Sequence, residues 1–469
     1  MQIEKILKKY GQSHLLAFKD ELSKDELAGL LEQLEAVEWE KLPDYIENYV
    51  YSQTEEKIPE NLEAPLYYST SPDTKEIETL FEEAQKIGSK LLKDGKIAAL
   101  TVAGGQGTRL GYDGPKGTYP ISPIKNKSLF QLFAEQLKGA ASKYGHVIKW
   151  YIMTSPINHT QTLEYFEENS YFGIEKDDIF FFSQGTMPCI DLSGKLMLAR
   201  KNKLSVSPDG HGGILKALNS SGALKQMKES GVEHLSYFQV DNPLVSVVDP
   251  LFLGMHSLTN SEMSSRGLAK TGPMEKLGNF CLIGDKIQII EYSDFPEETA
   301  TRKDKNGNLV FRMGSPAIHV LSRAFIEKLN KGEFKLPIHR ADKKVPFINL
   351  KGDLITPNNP NAVKLETFIF DALPLSKNPL ILEAKREKQF GPVKNKTGID
   401  SSETCRELLI GKFADWLDDV GISVPRNSDG KTDCIIEISQ EKYYDKEELI
   451  KDKDNLRTPQ KGEEIYYGY

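Results

Sequence analysis

Apolar residues in the first part of the chain recur at the spacing of an α-helix. From Lys24 onward five apolar positions fall on one stripe: Leu27, Leu30, Leu31, Leu34 and Val37. A second stretch from Thr74 to Leu92 has the same character, and prolines at positions 59, 65 and 72 separate the two. The pattern predicts a helical N-terminal domain over residues 1–94, in which the stripes serve as packing faces.

At Lys96 the pattern changes to short, continuous apolar runs. They are IAALTVAGG (97–105), VIKWYIMTS (147–155), DIFFFSQ (178–184) and LSYFQVDN (235–242), with helix-like segments such as 128–144 between them. Such runs are typical of strands buried on both faces of a parallel sheet, and the alternation with helices implies right-handed crossovers. The pattern predicts an α/β domain over residues 95–385. A more polar region, 386–469, is predicted to form a small C-terminal domain with one strand near 432–439.

Composition and charge narrow the class of protein. A chain of 469 residues is long enough for two or three domains. Its formal net charge of −8 argues against non-specific binding to nucleic acid or an anionic membrane, although a local basic pocket for phosphates stays possible. The sequence contains no apolar run of about 18 residues and no signal-peptide pattern at its start, so we expect a cytoplasmic protein without a membrane span.

Cysteine and histidine usage gives no sign of metal or redox chemistry. The four cysteines are far apart and fit no CxxC pattern, and the eight histidines form no HExxH motif. We therefore expect buried, reduced thiols and no zinc site.

A glycine-rich loop directly follows the first predicted strand. It runs from Val102 to Gly111, and Gly114-Pro115-Lys116-Gly117 comes shortly afterwards. Glycines allow a ligand to approach the backbone closely, and turns of N–H groups bind phosphate oxygens. Arg109 and Lys116 add two cations suited to a triphosphate. The loop lacks the Gly-Lys-Ser/Thr of a P-loop and the glycine spacing of a dinucleotide fingerprint. The pattern indicates a nucleotide site of another kind.

The motif GGQGTRLG…PKG (104–117) resembles the signature of the eukaryotic-type UDP-sugar pyrophosphorylases, the family that contains UDP-N-acetylglucosamine and UDP-glucose pyrophosphorylases. Seven further segments resemble motifs of the same family in the same order: SQGTMPCID (183–191), SPDGHGGILKAL (207–218), YFQVDNPLVSVVDP (237–250), AKTGPMEKLG (269–278), HRADKKVPF (339–347), VKLETFIFD (363–371) and REKQFGPVKN (386–395). The resemblance implies a Rossmann-like nucleotidyltransferase fold with a central mixed sheet flanked by helices. It also implies UTP and a sugar 1-phosphate as substrates and Mg²⁺ as cofactor.

The resemblance assigns roles to individual residues. It implies that UTP contacts the backbone of the loop after the first strand, and that cations hold its phosphates and stabilise the transition state. The implied UTP-binding residues are Val102, Ala103, Gly104, Gly105, Lys116, Gln184, Gly210, Asp241 and Lys364, and the implied catalytic residues are Arg109, Lys116 and Lys364. Those implied to bind the sugar phosphate are His211, Glu275, Lys276 and Lys394.

Two of these residues also carry a physical argument. Asp241 ends an apolar strand, where its carboxylate can bind Mg²⁺ that bridges to a phosphate. Lys364 lies in an apolar strand-like segment, where a lysine is costly unless it is paired, so a phosphate partner is expected. Asp249, before Pro250, is expected to be a turn residue.

The expected reaction is attack of the sugar phosphate on the α-phosphorus of UTP, which needs positioning and charge stabilisation rather than a protein nucleophile. N-acetylglucosamine 1-phosphate is the favoured sugar substrate. His211 and the Gly314-Ser315-Pro316 segment depart from the N-acetylglucosamine branch, so glucose 1-phosphate or a broad sugar range stays open. A UTP-binding regulator without turnover is the non-enzymatic alternative. We expect no nucleic-acid or membrane partner, and a monomer.

Overall fold

The computed structural model describes residues 2–52, 58–59, 61–332 and 336–469. Contacts divide the chain into two compact units. The first unit comprises Met1–Pro59, Gln184–Gly213 and Lys335–Asp371; the second comprises Glu60–Ser183, Ile214–Phe334 and Ala372–Tyr469. The three-domain organisation expected from the sequence stays a prediction, and part of its first domain (1, 53–57 and 60) lies outside the described residues.

Helices form where the sequence supplies both an apolar stripe and a cap. Ser23 and Glu26 form a capping box on the second helix, and Ser128 caps the fifth, which ends at Gly145 in the left-handed conformation. Within the described residues the α-helices are α1 (Gln2–Lys9), α2 (Lys24–Glu35), α3 (Leu42–Tyr45), α4 (Lys75–Lys93), α5 (Leu129–Tyr144), α6 (His159–Glu168), α7 (Ile214–Ser220), α8 (Ala223–Glu229), α9 (Pro250–Leu258), α10 (Glu297–Ala300), α11 (Arg323–Leu329), α12 (Arg386–Gln389), α13 (Ser402–Asp419) and α14 (Lys446–Lys451).

The strands include all four of the apolar runs found in the sequence. They are β1 (Ile97–Val102), β2 (Lys149–Thr154), β3 (Ile179–Ser183), β4 (Thr186–Pro188), β5 (Ile190–Asp191), β6 (Leu198–Arg200), β7 (Lys203–Leu204), β8 (Val206–Pro208), β9 (His234–Gln239), β10 (Met263–Ala269), β11 (Gly278–Ile283), β12 (Lys286–Ile290), β13 (Met313–Ser315), β14 (His319–Ser322), β15 (His339–Lys343), β16 (Phe347–Ile348), β17 (Leu354–Ile355), β18 (Ala362–Glu366), β19 (Leu380–Ala384), β20 (Ile435–Ile438) and β21 (Glu464–Tyr467).

The second unit is built on a mixed sheet with strand order β12-β11-β13-β10-β14-β9-β1-β2-β3, and β19 also pairs with β10. The strands β9, β1, β2 and β3 run parallel, whereas β14 joins β9 antiparallel. Aromatic side chains of α5, β2 and α6 pack together in the core, with Phe130, Trp150 and Phe166 fully buried. The predicted α/β fold, a central mixed sheet flanked by helices, is therefore confirmed.

The first unit combines the N-terminal helices with strands from two later parts of the chain. Leucines of α1 and α2, among them Leu7, Leu30 and Leu34, pack in one buried cluster with residues of β5 and β18. β18 pairs antiparallel with β15 on one side and with β5 on the other. The apolar stripe of α2 is thus a packing face, as predicted.

Helices α4 and α9 of the second unit approach each other very closely through glycine. A Cβ placed on Gly88 would lie 1.8 Å from the carbonyl oxygen of Pro250, and one on Gly254 would lie 1.7 Å from that of Ala84. Asp249 caps α9 by accepting hydrogen bonds from the first backbone N–H groups of that helix, so it is a helix N-cap and not the turn residue expected from the sequence.

The C-terminal part of the second unit has its own cluster of buried residues from α13, β20 and β21. Glu437 on β20 connects this part to the loop that precedes α5. One of its carboxylate oxygens accepts hydrogen bonds from the backbone N–H groups of Ile124 and Lys125, at 2.7 and 2.8 Å. The other lies 3.3 Å from the buried ammonium of Lys127.

Among the helices of the described ranges, none combines the length and the apolar character that crossing a bilayer requires.

Candidate active site

The glycine-rich loop leaves β1 at the carboxyl edge of the parallel strands. Side chains that follow β2 tie down its carbonyl groups. The Asn158 amide donates to the carbonyl oxygens of Ala103 (2.9 Å) and Gly105 (3.2 Å), and the Ser155 hydroxyl donates to that of Gly104 (2.8 Å). Both side chains are fully buried. These three bonds fix the path of the loop backbone from Ala103 to Gly105.

Sequence reasoning did not identify Ser155 and Asn158 as site residues. A signal was present, because Ser155 ends the second apolar run and Asn158 comes three residues later, at the same sheet edge as the glycine-rich loop.

Two glycines of the loop are needed for different reasons. A Cβ on Gly107 would lie 2.7 Å from the Tyr112 ring, so a larger residue there would disturb the packing of the loop. A Cβ on Gly105 would meet nothing within 4 Å. Packing therefore does not explain glycine at position 105, and the close approach of a ligand to it stays a prediction.

The structure brings Lys116 and Asp241 together. The backbone N–H of Lys116 donates to the carbonyl of Gly105 at 3.0 Å, and that of Val240 donates to Val102 at 3.0 Å, so the segments carrying both residues are attached to the loop. The Lys116 ammonium lies 3.3 Å from Asp241 Oδ2, and the two side chains are only 10% and 13% exposed. Arg109 lies on the same loop, in a short 3-10 turn, with its side chain exposed.

A segment from the C-terminal part of the chain lies against Asp241. The N–H of Val393 donates to the carbonyl of Asp241 at 2.7 Å. The neighbouring Asn242 side chain accepts a hydrogen bond from the N–H of Gly391 and donates to the carbonyl of Gln389. These bonds fix the path of the chain just before Lys394, so Lys394 starts from a backbone anchored beside Asp241.

Asp400 is an acidic residue near this cluster that sequence reasoning missed. Its carbonyl accepts hydrogen bonds from the backbone N–H groups of Lys394 and Asn395, and its φ of 57° is unusual for a residue other than glycine. Burial raises the pKa of its carboxyl group, the nearby charge of Lys394 opposes that rise, and the charge of Asp241 adds to it. An aspartate in a polar stretch carries no sequence signal for such a place.

Glu275 lies in the turn between β10 and β11, where both of its carboxylate oxygens are engaged. Oε2 accepts from the backbone N–H (2.7 Å) and hydroxyl (3.0 Å) of Thr271, and Oε1 accepts from Arg386 Nη2 at 2.6 Å. The next residue, Lys276, is exposed. Lys270, in the same turn, donates to Asn279 Oδ1 at 2.5 Å, and burial lowers its pKa.

Four predicted site residues belong to the first unit: Gln184, Gly210, His211 and Lys364. Gln184 is buried, and Lys364 lies half-buried in the middle of β18, opposite Ala341 on β15. Gly210 has a φ of 84°, and a Cβ there would lie 2.3 Å from the carbonyl oxygen of Thr367, so only glycine fits.

The His211 imidazole is held by the segment that follows β18. Its Nδ1 accepts a hydrogen bond from the backbone N–H of Ile369 at 3.1 Å, and its ring stacks on Phe368. The ring of His339 also stacks on Phe368, and its Nε2 pairs with Asp371 at 2.8 Å. Burial, with a smaller contribution from the charge of His339, lowers the pKa of His211 to about 4. The ring is therefore neutral at physiological pH.

The predicted residues thus form two groups, one in each unit. The second unit brings together the loop backbone from Val102 to Gly105, Lys116 and Asp241, with the anchored segment of Lys394 beside them. The described residues of neither unit contain three clustered His, Cys, Asp or Glu side chains that would make a complete metal site by themselves.

Comparison with known proteins gives the family. Residues 41–451 match the family described as UTP--glucose-1-phosphate uridylyltransferase, UDPGP. A probable UDP-N-acetylglucosamine pyrophosphorylase of Dictyostelium discoideum is 34% identical over 92% of this chain and 90% of its own length. A UDP-N-acetylhexosamine pyrophosphorylase-like protein of Xenopus tropicalis is 33% identical over 96% of this chain and 94% of its own.

A solved structure agrees with these relatives. The uridine diphosphate N-acetylglucosamine pyrophosphorylase of Trypanosoma brucei, crystallised with an inhibitor, superposes with a TM-score of 0.82 at 26% identity, covering 99% of this chain and 97% of that chain. The family match, the two relatives and this superposition each extend over most of the sequence. The chain belongs to the UDPGP family and is a nucleotidyltransferase of the UDP-sugar pyrophosphorylase type.

Proposed function

We propose that this chain transfers the uridylyl group of UTP to N-acetylglucosamine 1-phosphate and releases pyrophosphate. The names of the similar proteins from Dictyostelium discoideum and Trypanosoma brucei support this sugar. The observation that carries the proposal is the buried pair of Lys116 and Asp241, attached to a glycine-rich loop that Ser155 and Asn158 hold rigid. A preorganised cation and carboxylate beside bare backbone suit the binding of a triphosphate.

The chemistry requires no covalent intermediate with the protein. An oxygen of the sugar phosphate attacks the α-phosphorus of UTP, and a new P–O bond forms. The bond from that phosphorus to the oxygen bridging the β-phosphate breaks, and pyrophosphate leaves with the electron pair. The attacking oxygen is already ionised near neutral pH, so no general base is needed. His211 is neutral, and its Nδ1 is occupied by the backbone of Ile369, which agrees with this.

The work of the protein is to position the substrates and to balance their charge. Lys116 is held in place by Asp241, so the ammonium needs little reorganisation to meet a phosphate. Arg109 is exposed on the same loop and supplies a second cation. Glu275 is oriented to accept a hydrogen bond from a sugar hydroxyl. The roles of Gln184, Gly210 and Lys364 toward UTP, and of His211 toward the sugar phosphate, stay predictions drawn from the family resemblance.

A magnesium ion fits Asp241. Mg²⁺ commonly uses one or two carboxylates together with substrate phosphates and water, rather than a complete protein cage. Asp241 is a buried carboxylate, and among the described residues no group of three His, Cys, Asp or Glu side chains could hold a metal ion. One carboxylate of this kind suits Mg²⁺ that is held mainly by substrate phosphates and water. We propose that Asp241 holds the ion, which when bound would neutralise charge on the α-phosphate.

The test is pyrophosphate release from UTP with four sugar 1-phosphates: N-acetylglucosamine, N-acetylgalactosamine, glucose and galactose. We expect the highest kcat/KM with N-acetylglucosamine 1-phosphate. A preference for glucose 1-phosphate would overturn the proposed sugar and favour the activity for which the family is named. Calorimetric binding of UTP without turnover on any sugar phosphate would indicate the non-enzymatic regulator. A His211→Asn variant tests whether this residue affects sugar preference.

A cytoplasmic location and a monomeric state complete the proposal. They are the expectations drawn from the sequence.

A further inference from the structure

Arg386 has an arrangement that neither the sequence motifs nor the reaction explains. It begins α12, directly after β19, and its Nη2 donates to Glu275 Oε1 at 2.6 Å. The same nitrogen lies 3.5 Å from the carbonyl oxygen of Ala269, at the end of β10. The guanidinium also lies 5.6 Å from the centre of the Phe390 ring. Arg386 therefore connects three segments around the turn that carries Glu275.

Together, Arg386 and Thr271 fix the orientation of the Glu275 carboxylate. Thr271 holds Oε2 with its N–H and its hydroxyl, and Arg386 holds Oε1. Each carboxylate oxygen can accept about two hydrogen bonds, so Oε1 keeps room for one more donor. The side chain of Glu275 is only 18% exposed, which limits the directions from which that donor can come.

The charge of Arg386 also matters for an anionic substrate. A carboxylate close to an incoming sugar phosphate repels it, and a guanidinium paired with the carboxylate cancels that repulsion. The charges of Lys394 and Arg386 lower the pKa of the Asp400 carboxyl group, and the charge of Glu275 raises it. The Arg386–Glu275 pair and Lys394 are therefore both close enough to Asp400 to affect its charge.

Within the described part of the chain, Nη2 of Arg386 donates to Glu275 Oε1 at 2.6 Å and lies 3.5 Å from the carbonyl oxygen of Ala269. The shorter of these contacts is the charge-assisted bond to Glu275, which favours a role of Arg386 in orienting that carboxylate.

We propose that Arg386 is a positioning residue for the sugar: it orients and neutralises Glu275 so that this carboxylate accepts a sugar hydroxyl without repelling the sugar phosphate. The proposal rests on the proposed function, because Glu275 must face a sugar for its orientation to matter. It goes beyond that function by naming the residue through which Glu275 acts.

The test compares Arg386→Gln, Arg386→Lys, Glu275→Gln and the double variant Arg386→Gln/Glu275→Gln. We expect Arg386→Gln to raise the KM for the sugar 1-phosphate about 10- to 100-fold, the loss typical of a hydrogen bond between charged groups, while the KM for UTP changes by no more than about twofold. Arg386→Lys should restore part of the loss. The double variant should be no worse than the poorer single variant, because Arg386 acts through Glu275.

A binding measurement separates this proposal from the proposed function. Calorimetry gives the affinities for UDP and for UDP-N-acetylglucosamine, and their ratio reports the contribution of the sugar without turnover. In Arg386→Gln, the affinity for UDP-N-acetylglucosamine relative to that for UDP should fall, while the affinity for UDP itself should stay unchanged. The matched control is Arg323→Gln, which breaks an arginine–glutamate pair within α11, away from the predicted site residues. It should affect neither measurement.

Three results would overturn the role of Arg386. They are an unchanged ratio in Arg386→Gln, equal effects on the KM values of both substrates, and full additivity in the double variant. A sugar preference other than N-acetylglucosamine in the wild-type protein would contradict the proposed substrate alone, since the same ratio is then measured with the preferred UDP-sugar.

Discussion

The substitution Asp241→Asn separates the role of this carboxylate in the ligand-free protein from its role in catalysis. At 3.3 Å from the Lys116 ammonium, the attraction between the two charges is about 5 kcal/mol for an effective dielectric constant near 20. The cost of burying both charges offsets part of this attraction, and the asparagine still offers a hydrogen-bond acceptor. We therefore expect the free energy of unfolding to fall by about 2–3 kcal/mol, somewhat less than the usual loss for a broken buried pair.

The same substitution should act differently once nucleotide is present. Lys116 keeps its charge but loses its carboxylate partner, so UTP without added metal should stabilise the variant more than the wild type. Turnover with Mg²⁺ should fall about 100- to 1,000-fold or more, as it does when one preorganised electrostatic group is removed.

Urea unfolding with and without UTP, together with pyrophosphate release, measures these effects. Asp285→Asn in the exposed turn between β11 and β12 is the matched control, with an expected stability change within about 0.5 kcal/mol. An unchanged unfolding free energy in Asp241→Asn would show that the pair does not stabilise the ligand-free protein. A turnover rate within about tenfold of wild type would remove Asp241 from the proposed site, because a factor of ten represents only about 1.4 kcal/mol of transition-state stabilisation.

Three further predictions address packing, pH and the second cation. Gly88→Ala should lower the free energy of unfolding in urea by about 1–3 kcal/mol or more, because its Cβ would overlap the carbonyl of Pro250. The control Gly411→Ala, in open space on α13, should raise that free energy by about 0.5–1 kcal/mol. Equal effects of the two substitutions would contradict the close packing of α4 and α9. Folded His211 stays neutral down to a pKa of about 4, while the unfolded chain takes up the proton near 6.5. The contribution of His211 to stability should therefore be level above pH 7 and fall between pH 6.5 and 4 by at most about 1.4 kcal/mol per pH unit. Urea titrations at pH 7.5, 6 and 5 should show a smaller fall in His211→Asn, and an identical fall would refute the assignment. Arg109→Ala should reduce turnover about 100-fold or more with an unchanged melting temperature, because this exposed side chain contributes little to packing; near wild-type rates would remove Arg109 from the catalytic set.

The sequence predicted the central strands because each is a short apolar run that ends in polar or glycine residues. The 3.6-residue pattern of α2 and the helix-like character of 128–144, which forms α5, likewise belong to single segments and were visible locally. The sequence did not predict which segments make up the first unit, because residues 184–213 and 335–371 join the N-terminal helices only through contacts distant in sequence. Hydrophobic patterning identifies the buried face of an element, but it does not say which other element covers that face.

The candidate site divides in the same way. Lys116, Asp241 and Glu275 lie in motifs whose order along the chain indicated a family. Asn158 follows a predicted strand, so its place at the sheet edge was readable, but its bond to the Ala103 carbonyl was not. Arg386 acts on the side chain of Glu275, 111 residues earlier, and no spacing along the chain encodes that contact.

Glu437, in the C-terminal part of the second unit, stabilises the loop before α5 through its hydrogen bonds to that loop. That loop begins just after Lys116, and a carboxylate more than 300 residues later in the sequence supplies the acceptor for two of its N–H groups. Without β20 the N–H groups of Ile124 and Lys125 would lose this acceptor, and the ammonium of Lys127 would lose one of its carboxylate partners. The C-terminal part of the second unit thus helps to order a loop that lies more than 300 residues earlier in the sequence.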